Sequence, residues 1–203
     1  DVTNPTSDEI KRRIFDTFTS QNRAVTAQDY QSLAYSMPPQ FGSISRCSVI
    51  NDPSSSNRRL SMFVISTDEE SYFTTTGNLI KNNLKNWISI YRPINDVVDI
   101  LDAKVVNFGV EFSVVTSPNY NSSDVMSLAI IELQDYFSEK MYIGEPLYLT
   151  RIYQRLNKLT GVVDVKNVKI NIKSGRDGTY YKTPKNVIFE LKFPNLDIKG
   201  VIK

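Results

Sequence analysis

The stretch Gly144–Val165, reading GEPLYLTRIYQRLNKLTGVVDV, decides how this chain folds. Leu149, Ile152, Leu156 and Leu159 recur three or four residues apart, so one face of a helix is apolar while Arg151, Gln154, Arg155, Asn157 and Lys158 point elsewhere. Gly161 then ends the helix. Lacking a Cβ, it takes the left-handed conformation that lets the amides just beyond reach back to the last carbonyls, and Val162–Val165 leave as a strand. A helix–Gly–strand unit of this kind packs onto its own sheet. It carries no chemistry and serves as an architectural anchor.

Upstream of the anchor, Val106, Phe108, Val110, Phe112 and Val114 alternate with Asn107, Gly109, Glu111 and Ser113, the signature of a half-buried strand. The turn SPNYNSSD follows, in which Asn121 and the serines after it supply a helix cap, and Met126, Ile130, Leu133, Phe137 and Met141 mark a helix ending before Gly144. Downstream, Val168, Ile170 and Ile172 alternate with Lys169, Asn171 and Lys173. The connection GRDG, with Tyr180, Tyr181 and Pro184, leads to Val187, Phe189, Leu191 and Phe193, so the spacing predicts a β-hairpin with a long exposed loop. Leu196–Ile202 is a candidate edge strand.

The first half has the same grammar. Ser7 or Asp8 caps a first helix whose Ile10, Ile14 and Phe18 share a face, with Phe15 beside them. Thr26 and Asp29 make a capping-box pattern ahead of Ala27, Tyr30, Ala34 and Met37, and Pro38–Pro39 closes that element. Ile44–Ile50 and Leu60–Ile65 are strands around the loop DPSSSNRR. Thr76 opens a helix in which Ile80, Leu84, Trp87, Ile88 and Tyr91 line one face, Pro93 ends it, and Val97–Leu101 closes the unit as a strand. The order is αββαβ and then βααβββ. The predicted class is α+β: two small sheet-plus-helices units in tandem, residues 23–103 and 104–203, behind an N-terminal helix and linker over 1–22, with a C-terminal β-hairpin extension on the second.

Composition limits the chemistry. The chain has 203 residues, 40% of them hydrophobic, enough to give each unit a core. Its 24 Lys and Arg nearly balance 22 Asp and Glu, so charge alone calls for neither nucleic acid nor a membrane. The absence of histidine excludes histidine-dependent catalysis and the commonest metal ligand. Cys47, the single cysteine, sits in an apolar run and reads as a buried strand residue rather than a nucleophile. Asp68, Glu69 and Glu70 are consecutive on a loop, point apart, and read as solvated rather than as a metal cluster. No apolar run approaches the roughly 18 residues of a membrane span, and the first residues are too polar for a signal peptide. We expect a soluble chain made inside the cell. Its start at Asp1 rather than Met is that expected of a piece of a longer polypeptide.

No phosphate-binding loop, nucleophile elbow or Cys/His ligand spacing is present, so no catalytic, cofactor-binding or metal-binding residue is assigned. The C-terminal lysines, Lys166, Lys169, Lys173, Lys182, Lys185, Lys192 and Lys199 among them, interleave with Tyr180, Tyr181 and Phe193. They suggest a basic aromatic sheet face for nucleic acid, or a solvated face whose lysines guard a sheet edge; the second is preferred.

RAVTAQDYQSLA, followed by a hairpin and a helix, resembles the opening of the C-terminal region of baseplate J-like proteins from contractile-tail phages and related injection machines. IGEPLYLTRIYQRLNKLTGVVDV resembles that family's closing Gly, helix and Gly–Val ending, and the two matches together cover most of residues 23–168. The chain as a whole is similar to the C-terminal portion of baseplate wedge subunits of T-even-type bacteriophages. It departs from shorter family members in the N-terminal helix and in the tail after Val168. The resemblance implies a structural, non-enzymatic virion component of the tail baseplate, assembled in the host cytoplasm. Its implied partners are a second copy, other wedge proteins, and hub and tube or sheath initiation components. Wedges joined in a ring around the hub would rearrange on host attachment, permitting sheath contraction and DNA delivery. Nucleic-acid binding is the alternative reading. Pattern alone offers Ile10, Ile14, Phe15, Phe18, Tyr180 and Tyr181 as protein-interface residues, because both segments present apolar area without an obvious local partner.

Overall fold

In the computed structural model, which describes residues 23–52, 58–172, 176–177 and 180–202, the first helix begins with the reciprocal cap its sequence calls for. The Asp29 amide donates to Thr26 Oγ1 at 3.1 Å and the Thr26 amide donates to Asp29 Oδ2 at 2.7 Å, fixing the start of α1 (Ala27–Tyr35). A single 3₁₀ turn over Pro39–Phe41 leads to β1 (Arg46–Asp52), which pairs antiparallel with β2 (Arg59–Thr67). The short β3 (Phe73–Thr74) pairs with the end of β2; α2 (Asn78–Ser89) then carries the chain to β4 (Val97–Asp102), parallel to β2. The central strand therefore has an antiparallel neighbour on one side and a parallel one on the other. Tyr30, Ala34, Leu60, Met62, Val64, Leu84 and Ile88 close this core, and the Trp87 indole donates to the Leu33 carbonyl at 3.0 Å.

Thr76 does not cap α2, as its sequence position suggested. Gly77 holds the cap without any side-chain hydrogen bond, while Thr76 is buried with its hydroxyl 3.1 Å from that of Ser66. A buried hydroxyl takes the partner that satisfies it, and here that partner is on β2. The helix also stops at Ser89, short of Tyr91.

Contacts divide the chain into Asp1–Lys104 and Val105–Lys203. The alternating run expected as one strand is two: β5 (Lys104–Asn107) and β6 (Gly109–Thr116). A Cβ on Gly109 would lie 2.9 Å from the Asp197 carbonyl oxygen, so the lack of a side chain lets the backbone pass there and change sheets. After β6 come α3 (Ser122–Ser138), capped by Asn121 Oδ1 accepting from the Ser123 amide, then β7 (Leu147–Tyr148) and α4 (Leu149–Asn157). Leu149, Ile152 and Leu156 are buried, as the anchor's spacing requires. Gly161 has φ +92°, but α4 ends four residues earlier, and the Val162 amide returns to Leu159 rather than to the helix's own last carbonyls.

The strand leaving Gly161 runs unbroken as β8 (Val162–Asn171), where the sequence reads two segments. Two register shifts against β6 leave Val163 and Lys166 as extra residues, and these bulges merge the segments. β9 (Arg176–Asp177) and β10 (Tyr180–Tyr181) form a two-residue hairpin. β11 (Val187–Glu190) is not the hairpin partner of β8, as expected, but pairs with β5. A four-residue helix α5 (Pro194–Asp197) precedes β12 (Ile198–Ile202), which lies parallel to β6 at one edge of the order β12-β6-β8. β6 repeats the arrangement of β2, antiparallel on one side and parallel on the other. The fold class is α+β. Among the described residues no helix is long and apolar enough to cross a membrane.

Candidate interaction surfaces

Ile10, Ile14, Phe15 and Phe18 lie outside the described residues. Tyr180 sits in β10 opposite Tyr148 of β7. Tyr181, next along, is only 6% exposed, and its hydroxyl donates to the Ile170 carbonyl at 2.9 Å. Its ring belongs to the core with Leu147, Ile170 and Phe189, so that apolar area already has a partner within the unit. The sequence pattern at this hairpin did not reveal that β10 pairs with β7, which sets Tyr181 beside Leu147.

The outer face of the β12-β6-β8 sheet carries two of the C-terminal lysines. Glu111 on β6 stands in register with Lys169 of β8 on one side and Lys199 of β12 on the other. The Asn171 side-chain amide donates to Glu111 Oε1 at 2.7 Å. The register sets one carboxylate between two lysines on this face, so opposite charges are cross-strand neighbours there. Tyr181 is buried, whereas Phe193 is exposed and the Lys192 ammonium lies over its ring at 5.7 Å.

A groove of about 260 Å³ opens where the end of α3, the segment 139–146 and the start of α4 meet. Tyr136, Phe137, Tyr142, Tyr148 and Ile152 supply its apolar lining. The Arg155 guanidinium stacks on Tyr136 at 4.6 Å and donates to Glu132 Oε1 at 2.7 Å, while Arg151 stacks on Tyr148 at 5.0 Å. The Tyr142 amide donates to Glu145 Oε2 at 3.0 Å and shapes the rim. The rings and the Arg151 guanidinium of the lining suit an apolar or planar side chain; the lining offers no nucleophile paired with a base. No sequence signal pointed here, because Tyr136 and Arg155 are brought together only by the packing of two helices.

The polar residues of the first unit act in its architecture. Burial pushes the Cys47 thiol well above its ordinary value, and burial together with the nearby thiol raises Tyr35 to about 12. A thiol so shielded is no nucleophile. Asp68 Oδ1 accepts from the Tyr72 amide at 2.7 Å, as a loop residue closing its own turn. Among the described residues no three His, Cys, Asp or Glu side chains converge in the manner of a metal site.

No protein-family model and no curated protein matches the sequence. Among solved structures, a chain in the cryo-electron microscopy structure of the anti-feeding prophage baseplate, six-fold symmetrised, is similar in fold at 15% identity with a TM-score of 0.60. The similarity covers 92% of this chain, which spans 42% of that one, so both units share their fold with part of a longer protein.

Proposed function

We propose that this chain is a structural component of a contractile-tail baseplate, the C-terminal portion of a wedge subunit. In this reading it dimerises, links wedges into a ring around the hub, and rearranges to permit sheath contraction and DNA delivery. The observation that carries the reading is the fold similarity to a chain of the anti-feeding prophage baseplate, extending over 92% of the residues here. The six-fold symmetry applied to that assembly accords with a subunit repeated around a ring. The motif resemblance to baseplate J-like proteins supports the same reading. The partners are a second copy, other wedge proteins and the hub and tube or sheath initiation components, in the tail baseplate after assembly in the host cytoplasm.

The test is an electron-microscopy image of the assembled particle with this subunit carrying a compact label. Density at six-fold positions around the hub is the expected result. Label on the sheath or head, or unlabelled particles assembled without the subunit, would overturn it.

A further inference from the structure

Helix α3 buries Val125, Ala129 and Leu133 and leaves an opposite stripe in solvent. At its centre Leu128 is 48% exposed and Ile131 is 51% exposed, one turn apart. One turn further, the Gln134 side-chain amide donates to Asn195 Oδ1 at 2.9 Å, which brings α5 and its Leu196, 70% exposed, beside the same stripe. Asp124 and Asp135 stand at the two ends of the stripe, and the helix contains no Lys or Arg. Glu132, its third carboxylate, is turned the other way onto Arg155. Asp124 suits the first turn of a helix, but Asp135 lies in the last turn, where the helix dipole disfavours an anion. An anion set against the helix dipole beside exposed leucine and isoleucine is complementary in charge to a cation on a docking partner.

The same charges argue against a second copy as the occupant. Two such stripes packed antiparallel set Asp124 against Asp135 of the other copy, and packed parallel set each aspartate against itself. Residues 8–18 of this chain do not match both ends either, since Asp8, Glu9 and Asp16 accompany Lys11, Arg12 and Arg13.

We propose that the Asp124–Leu128–Ile131–Asp135 stripe of α3 is a docking face for a helix of a different protein, apolar at its centre and carrying Lys or Arg at both ends. The two aspartates stand eleven positions apart, a span of about 16 Å along a helix, so the partner's cations stand the same distance apart. The inference deepens the assembly reading, and rests on it only for the existence of such a partner in the same particle.

The test is a fluorescence-anisotropy titration of the full chain with two designed helical peptides. One has two central leucines a turn apart and lysines eleven positions apart; its twin has glutamates in place of the lysines. Saturable binding of the lysine peptide is expected, at least tenfold tighter than the twin, weakened at least tenfold by Asp124→Lys with Asp135→Lys, and declining with salt. Leu128→Ser with Ile131→Ser abolishes it; if that variant fails to fold by circular dichroism, Asp124→Asn with Asp135→Asn asks the same question through charge alone. Equal binding of the two peptides, no binding of the lysine peptide, or unchanged binding by the variants overturns the proposal. So does a fall in solution mass on Leu128→Ser with Ile131→Ser, which makes a second copy the occupant. The labelled-particle image tests the assembly reading independently, and either result can fail without the other.

Discussion

The Tyr30 hydroxyl donates a 2.7 Å hydrogen bond to Asp96 Oδ2 in the core of the first unit, joining α1 to the turn before β4 across 66 residues of chain. Asp96 is 3% exposed and has Arg58 Nη1 at 3.6 Å, while the Arg58 and Arg92 guanidiniums also donate to the Val25 and Asp96 carbonyls. A buried carboxylate survives there because each neighbour is a donor. Tyr30→Phe removes one donor and is expected to lower stability by about 1–3 kcal/mol. Trp87 is the chain's single tryptophan and lies against this core, so urea unfolding followed by its fluorescence reads the change; a midpoint equal to the parent's contradicts the assignment.

Glycine geometry gives a pair of opposite effects. At Gly161, φ is +92° and an added Cβ would lie 2.8 Å from Val125 Cγ2 and 3.0 Å from Tyr120 Cγ, so Gly161→Ala is expected to destabilise by about 1–3 kcal/mol. At Gly77, φ is −58° and nothing lies within 4 Å of the added atom. Gly77→Ser gives α2 the side-chain cap it lacks and is expected to stabilise by about 0.5–1 kcal/mol. Thermal unfolding by circular dichroism separates the two, and a shared direction is the adverse outcome.

Alkali should loosen the first unit. Burial raises Cys47, Tyr35 and Tyr30 above their ordinary values of 9.0, 10.0 and 10.0, with Asp96 adding to the effect on Tyr30. Groups held neutral in the fold contribute stability that is complete below those ordinary values and is lost as pH rises through the folded ones. The Trp87 urea midpoint is therefore expected to fall between pH 8 and pH 11. Iodoacetamide labels Cys47 only in urea; rapid labelling of the folded chain speaks against its burial.

Acid acts on the capping box. Burial alone raises the Asp29 carboxyl, but hydrogen bonds from the Thr26 and Val25 amides and the Thr26 hydroxyl, with the Arg58 charge, hold it below its ordinary 3.8. Its contribution is present above that value and is lost as pH falls through the lower folded one. Asp29→Ala is expected to cost about 0.5–1 kcal/mol at neutral pH and progressively less in acid. A penalty independent of pH would mean the carboxylate charge is not what caps α1.

The sequence by itself determined what depends on neighbours a few residues away: the Thr26–Asp29 cap, the apolar face of α4, the positive φ of Gly161 and the α+β class. Caps, periodicity and left-handed glycines are local, so a short window of residues contains the physics. Tertiary structure decided who lies beside whom. β11 pairs with β5 rather than β8, Tyr181 joins the core with Leu147, Ile170 and Phe189, Glu111 comes between two lysines, and Tyr136 meets Arg155 across two helices. Alternation says that one face of a strand is buried but not which strand is its neighbour, and side chains far apart in sequence come side by side only once the sheet has closed.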